Sequence, residues 1–376
     1  MKYYIIAGER SGDVHGANLI KALKREDEDA QIRCWGGDAM EKAGGELVVH
    51  YRDLAFMGFL EVLKNLRTIR RFLRQCEADL LSYQPDVLIL IDYPGFNMRM
   101  SRFAKKQGIR NYYYISPKLW AWNQGRAKKI KANVDKMFVI LPFEKDFYRQ
   151  FKYEVSYVGN PLLDEIRAYQ ADTHFHQNYG LATEKPIIAV LPGSRKQEVS
   201  NMLNTMMELV PQFEDYQFVV AAVNNLPDEM YAEAEQKKNV AVVEGKTYDI
   251  LHHAYAALVT SGTATLETAL FEVPQLVCYK TSNFSYRIAK FLIKVPYISL
   301  VNLIANREVV PELIQQDFNT TKLKLELKKI IQDSPERKAQ LRGYFEIKQL
   351  MGQERASETT AREIVESLRL ETTSTI

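Results

Sequence analysis

The sequence predicts an α/β protein with two doubly wound domains, each a parallel sheet with helices on both faces. Two observations support this prediction. Short, almost continuously apolar runs recur along the chain, as expected of parallel strands that are covered on both faces. The amphipathic segments between them are long enough for crossover helices. The length of 376 residues is sufficient for two domains with separate cores.

The predicted strands divide into two groups. Those of the first half are Tyr3–Ala7, Gln31–Trp35, Val87–Ile91, Asn111–Ile115, Met137–Leu141 and Val155–Val158, and those of the second half are Ile187–Leu191, Gln217–Ala222, Val240–Val243, Ala257–Thr260 and Gln275–Tyr279. Periodicity weakens between Gly159 and Gly180, so a domain boundary is predicted there. From about residue 320 the pattern is helical to the end. The predicted division is 1–165, 166–335 and a helical tail, 336–376, that crosses back to the first domain.

Composition excludes several classes of protein. The content of 46% hydrophobic and 26% charged residues is typical of soluble globular proteins. A net charge of +3 gives the protein no strong overall positive potential, so no nucleic-acid partner is expected. Cys34, Cys76 and Cys278 are far apart and lack metal-ligand spacing, which indicates a reduced cytosol and no metal site. The first apolar run is too short for a signal peptide, and no segment has the roughly 20 apolar residues of a membrane span.

Two glycine-bearing turns mark the second half. They are Leu191-Pro192-Gly193-Ser194-Arg195 and Ser261-Gly262-Thr263-Ala264-Thr265-Leu266-Glu267. Each follows an apolar run and leads into a helical pattern, so backbone N–H groups and the positive end of a helix dipole point at one spot. Two such turns on one sheet can converge on a diphosphate, which predicts a nucleotide-diphosphate site. The alternative is that each glycine only makes a tight turn.

Side chains beside these turns strengthen the prediction. Arg195 can grip phosphate oxygens in a bidentate manner. Glu267, in the first turn of the second helix, can accept two hydrogen bonds from ribose hydroxyls, although the helix dipole alone also favours a carboxylate there. Further on, Asn302 and Arg307 lie between strand-like and helical patterns, where loop polar groups often reach into an interdomain cleft.

The loop after the first strand reads Gly8-Glu9-Arg10-Ser11-Gly12-Asp13. It lacks the G-x-G-x-x-G spacing of a dinucleotide fingerprint. Its place at the carboxyl end of a parallel strand suits substrate contact, with Glu9 and Asp13 as candidates for holding sugar hydroxyls. The alternative is that Ser11 or Asp13 caps a helix.

Asp92 ends the apolar strand Val87–Ile91 and is followed by Tyr93, Pro94 and Phe96. A carboxylate that these side chains partly desolvate can have the raised pKa that a general base needs. The alternative is that Asp92 stabilises the next turn or caps a helix.

Two of the three tryptophans, Trp120 and Trp122, follow another strand, beside Lys118, Gln124 and Arg126. Clustered aromatics with polar tips suit sugar faces or acyl chains. They suit a domain-interface core equally well, and their spacing does not decide between the two.

The segment from Phe59 to Cys76 has the pattern of an amphipathic, basic helix. Its apolar positions are Leu60, Leu63, Leu66, Ile69 and Leu73, and its basic ones are Lys64, Arg67, Arg70, Arg71 and Arg74. Such a helix can lie against anionic lipid. It can also be a crossover helix with a solvated basic face.

Taken together and in order, these motifs resemble the lipid-A-disaccharide synthase family. The resemblance rests on Gly8-Glu9-x-Ser11-Gly12-Asp13, Ile91-Asp92-Tyr93-Pro94-Gly95-Phe96-Asn97, Ser116-Pro117-x-x-Trp120-Ala121-Trp122, Leu141-Pro142-Phe143-Glu144, both glycine turns and Val310-Pro311-Glu312-Leu313. It spans residues 1 to about 315. Arg10 fills a position where the family more often has a small residue.

The resemblance implies a GT-B architecture, with two Rossmann-like domains and a cleft between them. It implies an inverting glycosyltransferase that joins UDP-2,3-diacylglucosamine to 2,3-diacylglucosamine 1-phosphate, giving a β(1→6) disaccharide 1-phosphate and UDP. No metal or cofactor is implied. The enzyme is expected at the cytoplasmic face of the inner membrane, which favours lipid contact for the basic helix; a homo-oligomer is possible.

The resemblance also implies roles for individual residues. Asp92 would be the general base, with Glu9 as a second acidic group of the catalytic site. The donor site would comprise Ser194, Arg195, Gly262, Thr263, Ala264, Thr265, Glu267, Asn302 and Arg307. The acceptor side would comprise Ser11, Asp13, Trp120 and Trp122.

Two other functions compete with this one. Another GT-B enzyme, such as a UDP-GlcNAc 2-epimerase-like protein or a peptidoglycan glycosyltransferase, would keep the glycine turns but would not require the motifs of the first half. A nucleotide-binding module at a lipid surface, without catalysis, would leave Asp92 and Glu9 without a role.

Overall fold

The computed structural model of the protein describes residues 1–54 and 66–373. The chain forms two compact units. The first comprises Met1–Asp164 together with Gln353–Ile376, and the second comprises Glu165–Gly352. Both are built on a fully parallel sheet, so the α/β class with two Rossmann-like domains is confirmed.

The first unit has a seven-stranded sheet in the order β3-β2-β1-β4-β5-β6-β7. Its strands are β1 Lys2–Ala7, β2 Gln31–Gly36, β3 Glu46–His50, β4 Val87–Ile91, β5 Asn111–Tyr114, β6 Lys136–Val139 and β7 Ser156–Tyr157. Its helices are Arg10–Glu26, Asp38–Lys42, Tyr51–Leu54, Leu66–Tyr83, Pro94–Lys106, Leu119–Trp122, Ala127–Asn133, Glu144–Arg149, Pro161–Ala168 (continuing past the boundary) and Ala356–Thr373, with a 3₁₀ turn at Gln124–Arg126.

The second unit has a six-stranded sheet in the order β10-β9-β8-β11-β12-β13. Its strands are β8 Ile187–Leu191, β9 Gln217–Ala222, β10 Val240–Glu244, β11 Ala254–Thr260, β12 Gln275–Tyr279 and β13 Glu312–Ile314. Its helices are Phe175–Asn178, Lys196–Met207, Ala232–Glu235, Thr247–His253, Thr263–Leu270, Asn283–Leu292, Leu300–Ala305, Thr320–Ile330 and Pro335–Met351, with 3₁₀ turns at Val210–Gln212 and Asp228–Met230.

Alternating side chains of the second sheet enter two separate cores. Ile187, Ala189 and Leu191 pack on one face, and Ile188 and Val190 pack on the other. A strand that is buried on both faces must be apolar at every position, which explains the continuous apolar runs of the sequence.

The last helix, Ala356–Thr373, packs on the first helix of the chain. Ile364, Val365 and Leu368 share one core with Leu19 and Leu23. The helix Pro335–Met351 belongs instead to the second unit, where Gln340 exchanges hydrogen bonds with the backbone of Gln275. The division between units therefore falls after Gly352 and not at residue 336 as the sequence predicts.

Two strands were not predicted, and both lie at an edge of a sheet. β3 is only partly buried and follows the short helix Asp38–Lys42, and β13 has three residues. Edge strands need neither a long apolar run nor a full crossover helix, so they lack the pattern on which the prediction relied. Within the described part of the chain, no helix is long and apolar enough to cross a membrane.

Candidate active site

In each unit the strand order reverses direction between two central strands. β1 pairs with β2 on one side and β4 on the other, and β8 pairs with β9 and β11. Crossover helices leave these strand pairs toward opposite sides, which opens a crevice at the carboxyl ends of the strands where ligands bind in α/β sheets. All four loops singled out in the sequence as the strongest candidates follow these four strands.

In the first unit, the loops after β1 and β4 are in direct contact. A side chain at Gly8 would place its Cβ 2.1 Å from the ring of Tyr93, so only glycine lets the two loops approach this closely. Asp92 and Tyr93 both have left-handed backbone, with φ of +43° and +48°. Two successive non-glycine residues in this region are strained, which is typical of functional loops.

Hydrogen bonds hold the strained loop in place. The side-chain amide of Asn97 donates to the carbonyl of Asp92 over 2.8 Å, and the hydroxyl of Tyr113 donates to the same carbonyl. The Asp92 N–H donates to the carbonyl of Tyr114 over 3.1 Å. Three hydrogen bonds thus hold the backbone of Asp92, and the Tyr93 backbone donates a further one to its carboxylate, which lowers the pKa of that group.

Burial raises the pKa of the Asp92 carboxyl to about 6, and the nearby negative charge of Glu9 adds to this effect. The positive charge of Lys118 opposes it. Glu9 follows β1 and Lys118 follows β5, so the charges that set this pKa come from neighbouring strand ends. A carboxyl that ionises near pH 6 can take a proton from a hydroxyl at neutral pH.

Of the two predicted acceptor contacts in the first loop, Asp13 has structural partners instead. Asp13 is buried, and its carboxylate accepts the N–H groups of Gly37, Ala39 and Met40 at 2.7 to 3.1 Å. Asp13 therefore caps the helix Asp38–Lys42, which corrects its assignment to sugar hydroxyls. Ser11 is exposed at the start of the first helix.

The two tryptophans differ in environment. Trp120 is buried, and its indole N–H donates to Glu144 over 3.2 Å, so its ring belongs to the core of the unit and not to an open acceptor surface. Trp122 is 45% exposed, and the guanidinium of Arg126 lies 5.3 Å from its ring centroid. Of the two, only Trp122 presents a face to an incoming ligand.

Glu144 is a functional candidate that the sequence reasoning passed over. It is buried, accepts the N–H groups of Ile140 and Leu141, and burial raises the pKa of its carboxyl to about 7. Lys118 lowers this pKa, as it does that of Asp92. The signal available in the sequence was the position of Glu144 in the Leu141-Pro142-Phe143-Glu144 motif. Lys118 was noted only as a neighbour of the tryptophans.

In the second unit, the first glycine turn is closed by its own carboxylate. Glu198 accepts the N–H groups of Ser194 and Arg195 at 3.0 and 3.2 Å and pairs with the Arg195 guanidinium at 3.3 Å. Gly193 has a φ of +114°, and a Cβ there would lie 2.6 Å from Glu198. The Arg195 side chain is 82% exposed, so this ion pair is weak and its partner can be exchanged for another anion.

The second glycine turn is open. Gly262 and Thr263 are exposed, and a Cβ on Gly262 would meet no atom within 4 Å. Thr265 is buried and its hydroxyl donates to the Gly262 carbonyl over 2.8 Å, so its side chain shapes the turn, in contrast to the predicted ligand contact. The helix Thr263–Leu270 begins here and includes Ala264 and Glu267.

Glu267 forms a carboxylate pair that the sequence did not reveal. Burial and the negative charge of Glu165 raise the pKa of Glu267 to about 7, while a hydrogen bond from Tyr248 opposes the shift. The Tyr248 hydroxyl lies 3.2 Å from Glu165 as well, so its single proton can be donated to either carboxylate. Both carboxylates and the phenol belong to the second unit, and no spacing in the sequence relates them.

Asn302 and Arg307, the last two residues predicted to contact the UDP-sugar, also have partners within the protein. Asn302 is fully buried; its amide donates to the Val310 carbonyl and to Glu312, and its carbonyl accepts the N–H groups of Val309 and Val310. This network shapes the backbone before β13 and corrects the prediction that Asn302 lines a cleft. Arg307 is half-exposed and pairs with Glu346.

The basic helix is described from Leu66 to Tyr83. Its described cations, Arg67, Arg70, Arg71 and Arg74, are all exposed, whereas Ile69, Cys76 and Leu80 are buried in the first unit. Lys64 and the predicted apolar positions Leu60 and Leu63 lie outside the described residues. Leu73 is half-buried and Leu81 is 45% exposed, so the described part offers mainly charge.

The chain is similar to known proteins over most of its length. The family model described as lipid-A-disaccharide synthetase matches residues 3–365. A lipid-A-disaccharide synthase of Syntrophus aciditrophicus is 41% identical over 343 residues, covering 89% of each chain. The corresponding protein of Geobacter sulfurreducens is 36% identical over 370 residues, covering 97% of this chain and 96% of its own.

Solved structures with a similar fold are more distant. A UDP-GlcNAc 2-epimerase of Neisseria meningitidis, bound to UDP-GlcNAc, has a TM-score of 0.65 at 14% identity over 99% of this chain and all of its own. The glycotransferase of kitacinnamycin has a TM-score of 0.68 at 13% identity over 98% of both chains. These likenesses concern the fold alone. Together with the family match, they confirm the predicted GT-B architecture, and the chain belongs to the lipid-A-disaccharide synthase family of glycosyltransferases.

Proposed function

We propose that this chain transfers diacylglucosamine from UDP-2,3-diacylglucosamine to the 6-hydroxyl of 2,3-diacylglucosamine 1-phosphate. The observation that supports this most directly is the Asp92 carboxyl, which lies at the reversal point of the first sheet with a pKa of about 6. The first unit would bind the acceptor and the second the donor, since the glycine turns belong to the second.

The reaction is a single displacement. The Asp92 carboxylate takes the proton of the acceptor 6-hydroxyl as that oxygen attacks the anomeric carbon of the donor. The bond from the anomeric carbon to the diphosphate breaks at the same time, and its electron pair leaves with UDP. Attack from the face opposite the leaving group inverts the centre and gives the β(1→6) linkage, through a transition state with oxocarbenium character.

The departing diphosphate requires positive charge and N–H donors. The N–H groups proposed to bind it are those of Gly262, Thr263 and Ala264, at the start of the helix Thr263–Leu270, and that of Ser194 once it is released from Glu198. Arg195 would leave Glu198 to pair with the diphosphate, as its exposure allows. Glu267, beside Tyr248, would accept hydrogen bonds from the ribose hydroxyls.

Replacement of the base tests this function. The unaltered protein, incubated with both acylated monosaccharides, is expected to produce UDP and a tetra-acylated disaccharide 1-phosphate, detected by mass spectrometry. Asp92→Asn should lower kcat by about two or more orders of magnitude, because it removes the proton acceptor. Asp146→Asn, an exposed carboxylate of the same unit, serves as the control. Near-normal turnover of folded Asp92→Asn, or equal use of a non-acylated donor, would contradict the proposal.

The pH dependence tests the role of Glu9. Asp92 must be ionised to act as a base, so kcat/KM should fall as the pH drops below about 6. Glu9→Gln removes a negative charge that raises the Asp92 pKa, and the acidic limb should therefore move to lower pH. Glu41→Gln, an exposed acid in the same unit, should leave the limb in place. If the acidic limb stays in place in Glu9→Gln, the charge of Glu9 does not raise the pKa of Asp92, and the proposed role of Glu9 is wrong.

The exposed arginines of the basic helix are proposed to attract the anionic surface of the membrane. Replacing Arg67, Arg70 and Arg71 with Glu should weaken binding to phosphatidylglycerol vesicles by about tenfold or more at low salt, since each cation near such a surface contributes about 1 kcal/mol. The matched control reverses three other exposed arginines of the first unit, Arg25, Arg149 and Arg355. Equal vesicle sedimentation of both triple variants would refute a specific role of this helix.

A further inference from the structure

The first unit contains a cavity of about 350 Å³ beside the proposed catalytic loop. Three elements enclose it, namely the helix Pro94–Lys106, the turn from Pro117 to Leu119, and the segment from Arg126 to Asn133. Its volume lies near the lower end of the range for small-molecule sites, which suits a headgroup and the first part of a chain.

The polar lining of the cavity is positively charged. Arg99, Arg102, Arg126 and Lys129 contribute to it, and no acidic residue does. Among the ion pairs of the described residues, none involves these four cations, whereas Arg33 of the same unit pairs with both Glu46 and Asp79. Four converging cations without a carboxylate partner fit a doubly charged anion such as a phosphate monoester.

The rest of the lining is apolar. Met98, Leu119 and Ile130 contribute side chains, together with Pro94 and Pro117. Leu119 and Ile130 are buried in the unit and so form a fixed wall. A ligand that combines phosphate with hydrocarbon would use both kinds of lining, while inorganic phosphate would use only the charges.

The cavity is adjacent to the proposed base along two segments. Pro94 and Gly95 follow Asp92 within three residues, on the helix whose start is formed by the Asp92 loop. Pro117 and Leu119 flank Lys118, whose charge acts on Asp92. The cavity therefore borders the two loops that carry Asp92 and Lys118.

We propose that this cavity binds the 1-phosphate of the acceptor and the start of a neighbouring acyl chain. This assignment rests on the proposed function, since it takes the acceptor from it. The acceptor would be oriented by the phosphate on its C1, while the 6-hydroxyl, on the exocyclic carbon attached to C5, is left for Asp92 to deprotonate.

Charge-neutral variants test the cavity against closely matched controls. Arg102→Gln and Lys129→Gln each remove a lining cation, while Lys106→Gln and Lys128→Gln change exposed neighbours on the same two helices that do not line it. The lining variants should raise KM for the acceptor by about tenfold, in keeping with the loss of a charge-assisted hydrogen bond, and leave KM for the donor unchanged. With an acceptor that lacks the phosphate, they should equal the unaltered protein.

Direct binding separates this proposal from the reaction itself. Titration with 2,3-diacylglucosamine 1-phosphate in the absence of donor, followed by the fluorescence of Trp122 beside Arg126, should show the same loss of affinity. Lining variants that match their controls, or that lose affinity for the dephosphorylated acceptor equally, would overturn the cavity assignment. So would weaker binding to anionic vesicles with acceptor affinity intact, because the cations would then serve bilayer phosphates. Absence of any disaccharide from the unaltered protein would instead refute the proposed function.

A second, independent inference concerns the helix Asn283–Leu292 of the second unit. None of its residues is buried. Phe284 is 75% exposed and Phe291 87%, and Ile288, Leu292 and Ile293 are also exposed. Large apolar side chains rarely gather on a free surface without a partner. We call the helix together with Ile293 and Lys294 the exposed helix.

The spacing of the exposed helix places its apolar and basic residues on adjoining faces. Phe284, Ile288, Phe291 and Leu292 follow the i, i+4, i+7, i+8 pattern of one face. Arg287, Lys290 and Lys294 recur at i, i+3, i+7 beside them, and no acidic residue occurs between Glu272 and Glu308. An apolar face bordered by cations, without acids, is the pattern of helices that lie in the headgroup layer of an anionic bilayer.

We infer that the exposed helix inserts its apolar face into an anionic lipid surface. The proposed function supplies the reason for such contact, because both proposed substrates carry acyl chains. In the described part of the basic helix, Ile69, Cys76 and Leu80 are buried and Leu81 is the one exposed large apolar side chain, against five in the exposed helix. The exposed helix would therefore supply the apolar part of membrane binding.

Exposed phenylalanines can be replaced with little effect on folding. Phe284→Ser with Phe291→Ser should weaken binding to phosphatidylglycerol vesicles by about tenfold or more, and the loss should persist at high salt because it is apolar. The control pair is Leu325→Ser with Phe345→Ser, which lie in the same unit at 57% and 65% exposure. Turnover of detergent-dispersed substrates should be unchanged in both pairs.

Two outcomes would overturn this inference. Equal vesicle binding by the two pairs would show that the exposed helix does not enter lipid. Loss of a dimer in the Phe284 and Phe291 variant, with vesicle binding unchanged and mass measured by light scattering, would show that a second copy of the chain covers the helix instead.

Discussion

The positions of the candidate sites in both units depend on one topological constraint, the reversal of strand order in a parallel sheet. Between β1 and β4, and again between β8 and β11, the connections leave toward opposite sides, which opens a crevice at the carboxyl ends of those strands. Loops that are more than sixty residues apart in sequence thereby become neighbours. The contact of Gly8 with Tyr93 shows how close that approach is, since even one methyl group would not fit.

Burial of carboxyl groups provides the reactivity of these loops. Asp92, Glu144 and Glu267 all have raised pKa values, and desolvation is the largest cause in each case. A buried carboxylate without an ion pair is unfavourable, and proteins retain such groups mainly at functional sites. Nearby N–H and hydroxyl donors limit the cost: Ile140, Leu141 and Trp120 serve Glu144, and Tyr248 serves Glu267. The strained backbone of Asp92 is held in the same way, by Asn97 and Tyr113.

The central strands and the residues that follow them could be predicted from the sequence, because a strand buried on both faces has a continuous apolar run. The edge strands β3 and β13 could not, since their environment demands no such pattern. For three candidate residues, Asp13, Trp120 and Asn302, the structure differs from the prediction in the same way. The family resemblance assigns each of them to the site, yet each directs its polar atoms to partners within its unit: Asp13 to backbone N–H groups, Trp120 to Glu144, and Asn302 to backbone groups and Glu312.

Sequence alone determined the α/β class, the two domains, the family and the strand ends where polar residues gather. These features follow from the local order of apolar and polar residues, which is visible along the chain. Only the tertiary structure decided which of those polar groups are open to a ligand, and it added Glu144, Tyr248, Glu165 and the basic cavity beside Asp92. The reason is physical: hydrogen-bond partners, desolvation and converging charges come from elements far apart in sequence, so no local pattern records them.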